Sequence, residues 1–103
     1  MSMTPADFTI ARRLIGLTAQ ELSEKLNVQL RSVQRWESGQ HPVNDGVAGL
    51  MSQLVSEHSI LVGEIATLAI QGEQVSLPKS NWNIAAASRV LSSNPEARFD
   101  WAE

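Results

Sequence analysis

The chain has no cysteine, which excludes a disulfide framework and thiol chemistry and fits a reducing compartment. It has only two histidines, distant at positions 41 and 58, and its acids are scattered, so no metal-ligand or catalytic set emerges from the spacing. No apolar run approaches the roughly 18 residues that a bilayer span needs. The polar start MSMTPADF does not read as a signal peptide. Repeats and low-complexity tracts are missing as well. These absences lead to the expectation of a soluble, cytoplasmic protein without enzymatic activity, metal or cofactor. At 103 residues it is one small domain, or a minimal domain with an appendage. A chain of this size buries only about 65% of its unfolded surface, so its core is thin and a partner chain would help.

The net charge of −3 argues by itself against a polyanionic partner. Its distribution tells another story: residues 1–40 carry five basic against four acidic side chains, and residues 41–103 three against seven. Screening removes influences beyond roughly 10 Å, so the field over one local face matters more than the total.

Apolar residues at 8, 10, 11, 14 and 15 predict a short helix over 6–15, closed by Gly16. Thr18 followed by Glu21 forms a capping box for a second helix, AQELSEKL, which Asn27 ends. A third helix begins at Gln29, runs to Ser38 and stops at Gly39. The connection between the second and third helices is too tight for an antiparallel hairpin and suits a steep crossing. After the turn QHPVNDG a long helix is predicted over 47–70. Val47, Met51, Leu54, His58, Leu61, Ile65 and Leu68 form a heptad-like seam along it, flanked by Ala48, Val55, Val62 and Ala69. QGEQ is a break, VSLP a short extended segment that Pro78 stops, and 80–93 a last helix with Trp82, Ile84, Ala86 and Val90 inward. The tail EARFDWAE has no evident place.

The most informative stretch is NVQLRSVQRWESG, residues 27–39. Burying Leu22, Leu26, Val28, Val33 and Trp36 on one side forces positions 30, 31, 34 and 35 outward. That outward face carries two arginines one turn apart. Arg31 and Arg35 suit bidentate contact with guanine or a phosphate, Gln29 and Gln34 suit adenine, and Leu30 suits a thymine methyl. The helix start at Thr18 offers backbone N–H groups to a phosphate.

LTAQELSEKLNVQLRSVQRWESG resembles the helix-turn-helix of Cro/C1-type phage repressors, the XRE family. The shared elements are T-x-x-E-L at 18–22, the apolar positions 26, 28 and 33, and W-E-S-G at 36–39. The resemblance implies a structural ion pair between Arg12 and Glu37. It also implies base reading by Gln29, Leu30, Arg31, Gln34 and Arg35, and backbone contact by Thr18, Ala19 (through its N–H), Gln20, Ser32, Ser38 and Gln40. The sequence departs from the family pattern at Ala19, Ser23 and Asn27, where Gln, Ala and Gly are usual.

The order of segments is also similar to anti-CRISPR-associated autorepressors and related short bacterial regulators. The expectation is a mainly all-α chain, prokaryotic or phage-encoded, with a helix-turn-helix domain at 1–46. A long helix and a small C-terminal dimerisation segment, with room for one short strand, occupy 47–103. The implied function is a homodimeric autorepressor on an inverted-repeat operator in double-stranded DNA, with Leu54, His58, Leu61, Ile65, Leu68 and Trp82 at the dimer seam. The competing expectation is an antitoxin-like module that covers a toxin partner and uses the helix-turn-helix to regulate its own operon. Helix-turn-helix geometry also occurs in proteins that bind no DNA, with Arg31 and Arg35 as a solvated face. Leu30 beside them favours the DNA reading.

Overall fold

The computed structural model of the chain describes residues 2–102 and contains two compact units, Met1–Val55 and Ser56–Glu103. The first unit opens with a cap that the hydrophobic spacing did not suggest. The Thr4 hydroxyl accepts the Asp7 N–H at 3.0 Å and the Asp7 carboxylate accepts the Thr4 N–H at 3.1 Å. This capping box precedes Pro5, whose fixed φ suits a first helical position. Helix α1 (Pro5–Leu14) follows and ends at Gly16, which takes a φ of +80°. Of the apolar residues predicted inward on it, Phe8 and Ile15 are buried, whereas Ile10 and Leu14, one turn apart, face outward.

Helix α2 (Ala19–Leu26) carries the expected reciprocal cap, Thr18 to Glu21. It ends where Asn27 turns left-handed, with φ 57° and ψ 47°. The Val28 N–H then reaches the Ser23 carbonyl at 2.9 Å and the Asn27 N–H the Glu24 carbonyl at 3.2 Å. Both satisfy carbonyls orphaned at the helix end. Asn tolerates this conformation without glycine's entropic cost in the unfolded chain, so the departure at 27 leaves the turn intact. Helix α3 (Leu30–Ser38) starts after Gln29 and stops at Gly39, whose φ is +80°. Leu22, Val33 and Trp36 are buried, with Leu26 and Val28 half-buried. Phe8 and Trp36 meet edge to face at 5.7 Å between ring centres, a geometry that aligns a positive ring edge with a negative ring face.

Helix α4 (Asp45–Ile70) begins two residues earlier than periodicity suggested, because the Asn44 side chain accepts the Val47 N–H at 2.9 Å. Val47, Ala48, Met51 and Leu54 are buried in its first part. It ends in the second unit with Gly72 at φ +80° and the Glu73 N–H bonded to the Leu68 carbonyl at 3.2 Å.

The second unit holds a β–α–β arrangement: β1 (Gln74–Pro78), α5 (Asn81–Ser93) and β2 (Arg98–Ala102). The strands pair in parallel, with Val75 opposite Phe99 and Leu77 opposite Trp101. Parallel neighbours need a crossover of a dozen or more residues, here supplied by α5. The unplaced tail is therefore the second strand, and the expected single strand is one of two. Ile65, Val75, Leu77, Ala86, Val90 and Ala97 form the core of the unit. Ile84 was expected inward and is instead exposed, because α5 turns its small Ala86 and its Val90 to the sheet.

The seam assigned to a partner chain is largely internal. Leu54, His58 and Ile65 are buried within the single chain, and Leu61 and Trp82 are half-buried. Leu68 alone of the six is exposed.

His58 has no exposed surface. Its Nε2 lies 3.0 Å from the Trp82 carbonyl oxygen and its Nδ1 lies 3.1 Å from Arg89 Nη1, and the Trp82 ring stands edge-on at 4.6 Å. A carbonyl only accepts and a guanidinium only donates, so Nε2 carries the proton and the ring is neutral. Burial, with a further push from the Arg89 charge, lowers its pKa below the usual 6.5 against the opposing effect of the Trp82 carbonyl. The unfolded chain therefore takes up this proton at a higher pH than the folded chain, so stability falls as pH drops through 6.5. Denaturant unfolding between pH 7.5 and 5.5 is expected to show this slope. His58→Gln, which donates and accepts at similar places but does not titrate, is expected to flatten it; an equal slope in both proteins would refute the assignment.

Candidate nucleic-acid interface

The angle between α1 and α3 is fixed by one ion pair. Arg12 Nε donates to Glu37 Oε2 at 2.6 Å and Nη2 donates to Oε1 at 3.2 Å. The remaining Nη1 donates to the Leu17 carbonyl at 3.0 Å, just before the capping box of α2. One guanidinium thus ties together α1, the turn before α2 and the last turn of α3. The two side chains are only 12% and 18% exposed, so the charges are mostly desolvated and depend on each other.

With Val33 and Trp36 held inward, α3 presents its opposite face to solvent. Arg31 and Gln34 are exposed, Arg35 and Leu30 half-exposed, and Gln29 stands exposed ahead of the first turn. Positions 31, 34 and 35 are neighbours on a helix surface, so these side chains form one patch. Neither Arg31 nor Arg35 makes an ion pair among the described residues. Their charges are thus available to a ligand.

The N-terminus of α3 is also open. Gln29 takes extended backbone angles but makes no side-chain cap, unlike Thr4, Thr18 and Ser80 at α1, α2 and α5. At α2 the capping box engages the N–H groups of Thr18 and Glu21, leaving those of Ala19 and Gln20 in the first turn, where a helix has no partner for them. Thr18 and Gln20 are exposed and Ala19 is half-buried. The Gln20 amide donates to Glu24 at 3.0 Å and would have to turn to reach a phosphate.

Ser32 is half-buried, and Ser38 and Gln40 are exposed beyond the arginines. The Ser38 hydroxyl donates to the Arg35 carbonyl at 3.2 Å and accepts the Gln40 N–H at 3.3 Å, so both shape the helix end. Ser23 is buried with its hydroxyl on the Gln20 carbonyl at 2.6 Å. That bond satisfies the hydroxyl, so a polar side chain is buried where Ala is usual without leaving an unpaired group. The residue that spacing did not reveal is Leu17, since a backbone carbonyl carries no side-chain signature.

Among the described residues no group of three or more His, Asp or Glu is placed to hold a metal, and no helix is long and apolar enough to cross a membrane. No curated protein matches the sequence. A family model described as helix-turn-helix matches residues 10–54, which run from within α1 through α2 and α3 into the first part of α4. The family is a DNA-binding regulatory domain rather than an enzymatic one. The capped second helix, the left-handed Asn27, the outward arginines and the Arg12–Glu37 pair all lie inside that match, so residues 10–54 are similar to the Cro/C1-type helix-turn-helix.

Proposed function

We propose that this protein is a homodimeric repressor that binds an inverted-repeat operator through α3 in the major groove. The observation that carries the reading is the outward face of α3, where Arg31 and Arg35 stand without acidic partners among the described residues, beside Gln34 and Leu30. A recognition helix reads base edges from its first turns while the preceding helix braces the phosphates. Arg31 and Arg35 take guanine, Gln29 and Gln34 adenine, and Leu30 a thymine methyl. The Ala19 and Gln20 N–H groups, with Thr18, hold a phosphate at the start of α2, and Ser32, Ser38 and Gln40 flank the reading face.

Dimerisation follows from magnitude. One copy offers few basic contacts, each modest at physiological salt, and reads too few base pairs to find one site among a genome's competitors. Two copies fixed by symmetry double the contacts, and the second engages at high effective concentration. Selection of bound duplexes from a randomised pool tests this. The expected product is an inverted repeat with half-site centres about 34 Å apart, one helical turn. Enrichment of a single unrepeated half-site would contradict the dimer, and no enrichment at all would contradict sequence-specific reading.

A further inference from the structure

The dimer just proposed needs a surface, and the inward stripe of α4 does not supply one. In the second unit, by contrast, one face of β2 is unfinished. β1 alternates with Val75 and Leu77 buried, but of the residues paired with them on β2, Phe99 is half-buried and Trp101 is 53% exposed. Beside them runs a largely apolar groove of about 380 Å³, with Ile84, Leu91, Phe99 and Trp101 in its lining and Asn83, Ser88 and Asp100 as its polar members. Ile84 and Leu91 on its rim are also exposed.

The sheet has two strands, so each has a free edge among the described residues. Free edges invite further pairing unless something blocks them. β1 contains Pro78, which removes a backbone donor, and Glu73 and Lys79 flank it with charge. β2, sequence RFDWA, has no proline, so every residue of it keeps its backbone donor, and its charges are one of each sign.

We propose that β2 pairs antiparallel with β2 of a second copy about a two-fold axis at Phe99, giving a continuous sheet in the order β1–β2–β2–β1. This rests on the homodimer of the preceding reading and identifies its interface. The register follows from charge. A two-fold pairing that keeps Phe99 and Trp101 on one face must place some residue opposite itself. Centring on Arg98 or Asp100 sets like charges directly opposite, which is unfavourable. Centring on Trp101 sets Asp100 opposite the partner's Ala102, where its charge has no opposite charge to meet.

Centring on Phe99 alone sets Arg98 opposite the partner's Asp100 and Asp100 opposite the partner's Arg98. The same register stacks Phe99 on the partner's Phe99 and brings the partner's Trp101 beside Ala97, extending the apolar face over the open groove. Both charged side chains are exposed and alternate with Phe99 and Trp101 along the strand. Asp100 accepts from the Ser76 hydroxyl, and Arg98 folds back onto the carbonyls of Glu96 and Ala97 at 3.1 Å, so either can turn to a partner.

Sedimentation of the full chain without DNA tests the proposal by charge exchange, with circular dichroism confirming the fold. Arg98→Asp and Asp100→Arg, each alone, place like charges opposite at both ends of the ladder and should weaken the dimer by about tenfold or more. The double exchange Arg98→Asp with Asp100→Arg should return the dissociation constant to near the wild-type value. A mixture of the two single variants should likewise form mixed dimers tighter than either alone, which keeps the test decisive should the double variant fold poorly. Single variants that dimerise like wild type would overturn this interface while leaving a dimeric repressor standing on another surface. A wild-type chain that is monomeric at tens of micromolar would overturn both.

Discussion

Glu37→Ala is expected to lower the stability of the helix-turn-helix unit by about 3 kcal/mol, because removing one member of a desolvated pair strands the other's charge. Arg12 and Glu37 are bonded through two donor–acceptor contacts and are largely shielded from water. The alanine variant keeps the Arg12 contact to the Leu17 carbonyl, so one of three donors survives and the guanidinium cannot leave without abandoning it. Arg12→Met combined with Glu37→Leu removes both charges and fills the space with similar volume, which in buried pairs is often neutral. It should melt well above Glu37→Ala but below wild type, since the Leu17 carbonyl then lacks its donor, a loss of about 1–3 kcal/mol if water does not reach it. An unchanged melting temperature in Glu37→Ala would show that the pair contributes nothing.

Arg31→Ala and Arg35→Ala should each cost about 1–3 kcal/mol in binding to the selected operator if the side chain reads a base, and should relax preference at one position of each half-site. An arginine that holds phosphate instead would weaken binding to all sequences alike and reduce the salt slope by about one. The two outcomes separate the roles of Arg31, fully outward, and Arg35, half-buried nearer the Trp36 anchor. Neither substitution should lower the melting temperature appreciably, since neither side chain forms an ion pair within the described residues. Wild-type affinity in both variants would show that another face reads the DNA.

The recognition unit was legible in the sequence because its devices are local. Thr18, Glu21, Asn27 and Gly39 each act on backbone groups within a few residues, and their types are dictated by cap and turn geometry. The Arg12–Glu37 pair is not local, and its position came from resemblance to a family rather than from spacing. Periodicity misled along α4. A stripe running the length of a helix reads as a surface for one partner, yet Leu54 and Ile65 are each buried within the single chain. Strand β2 was illegible for a different reason. Five residues with one half-buried phenylalanine give little alternation, and a parallel partner is separated from them in sequence by a whole helix. Non-local pairing leaves no short-range signature.

Whether α3 reads sequence is decided by one comparison. The wild-type protein is titrated against its selected operator and against a scrambled duplex of equal length and composition, at about 0.15 M salt. The expected ratio of dissociation constants is roughly a thousandfold or more, as for specific repressors. Equal affinity for the two duplexes, or no binding to either, would contradict it.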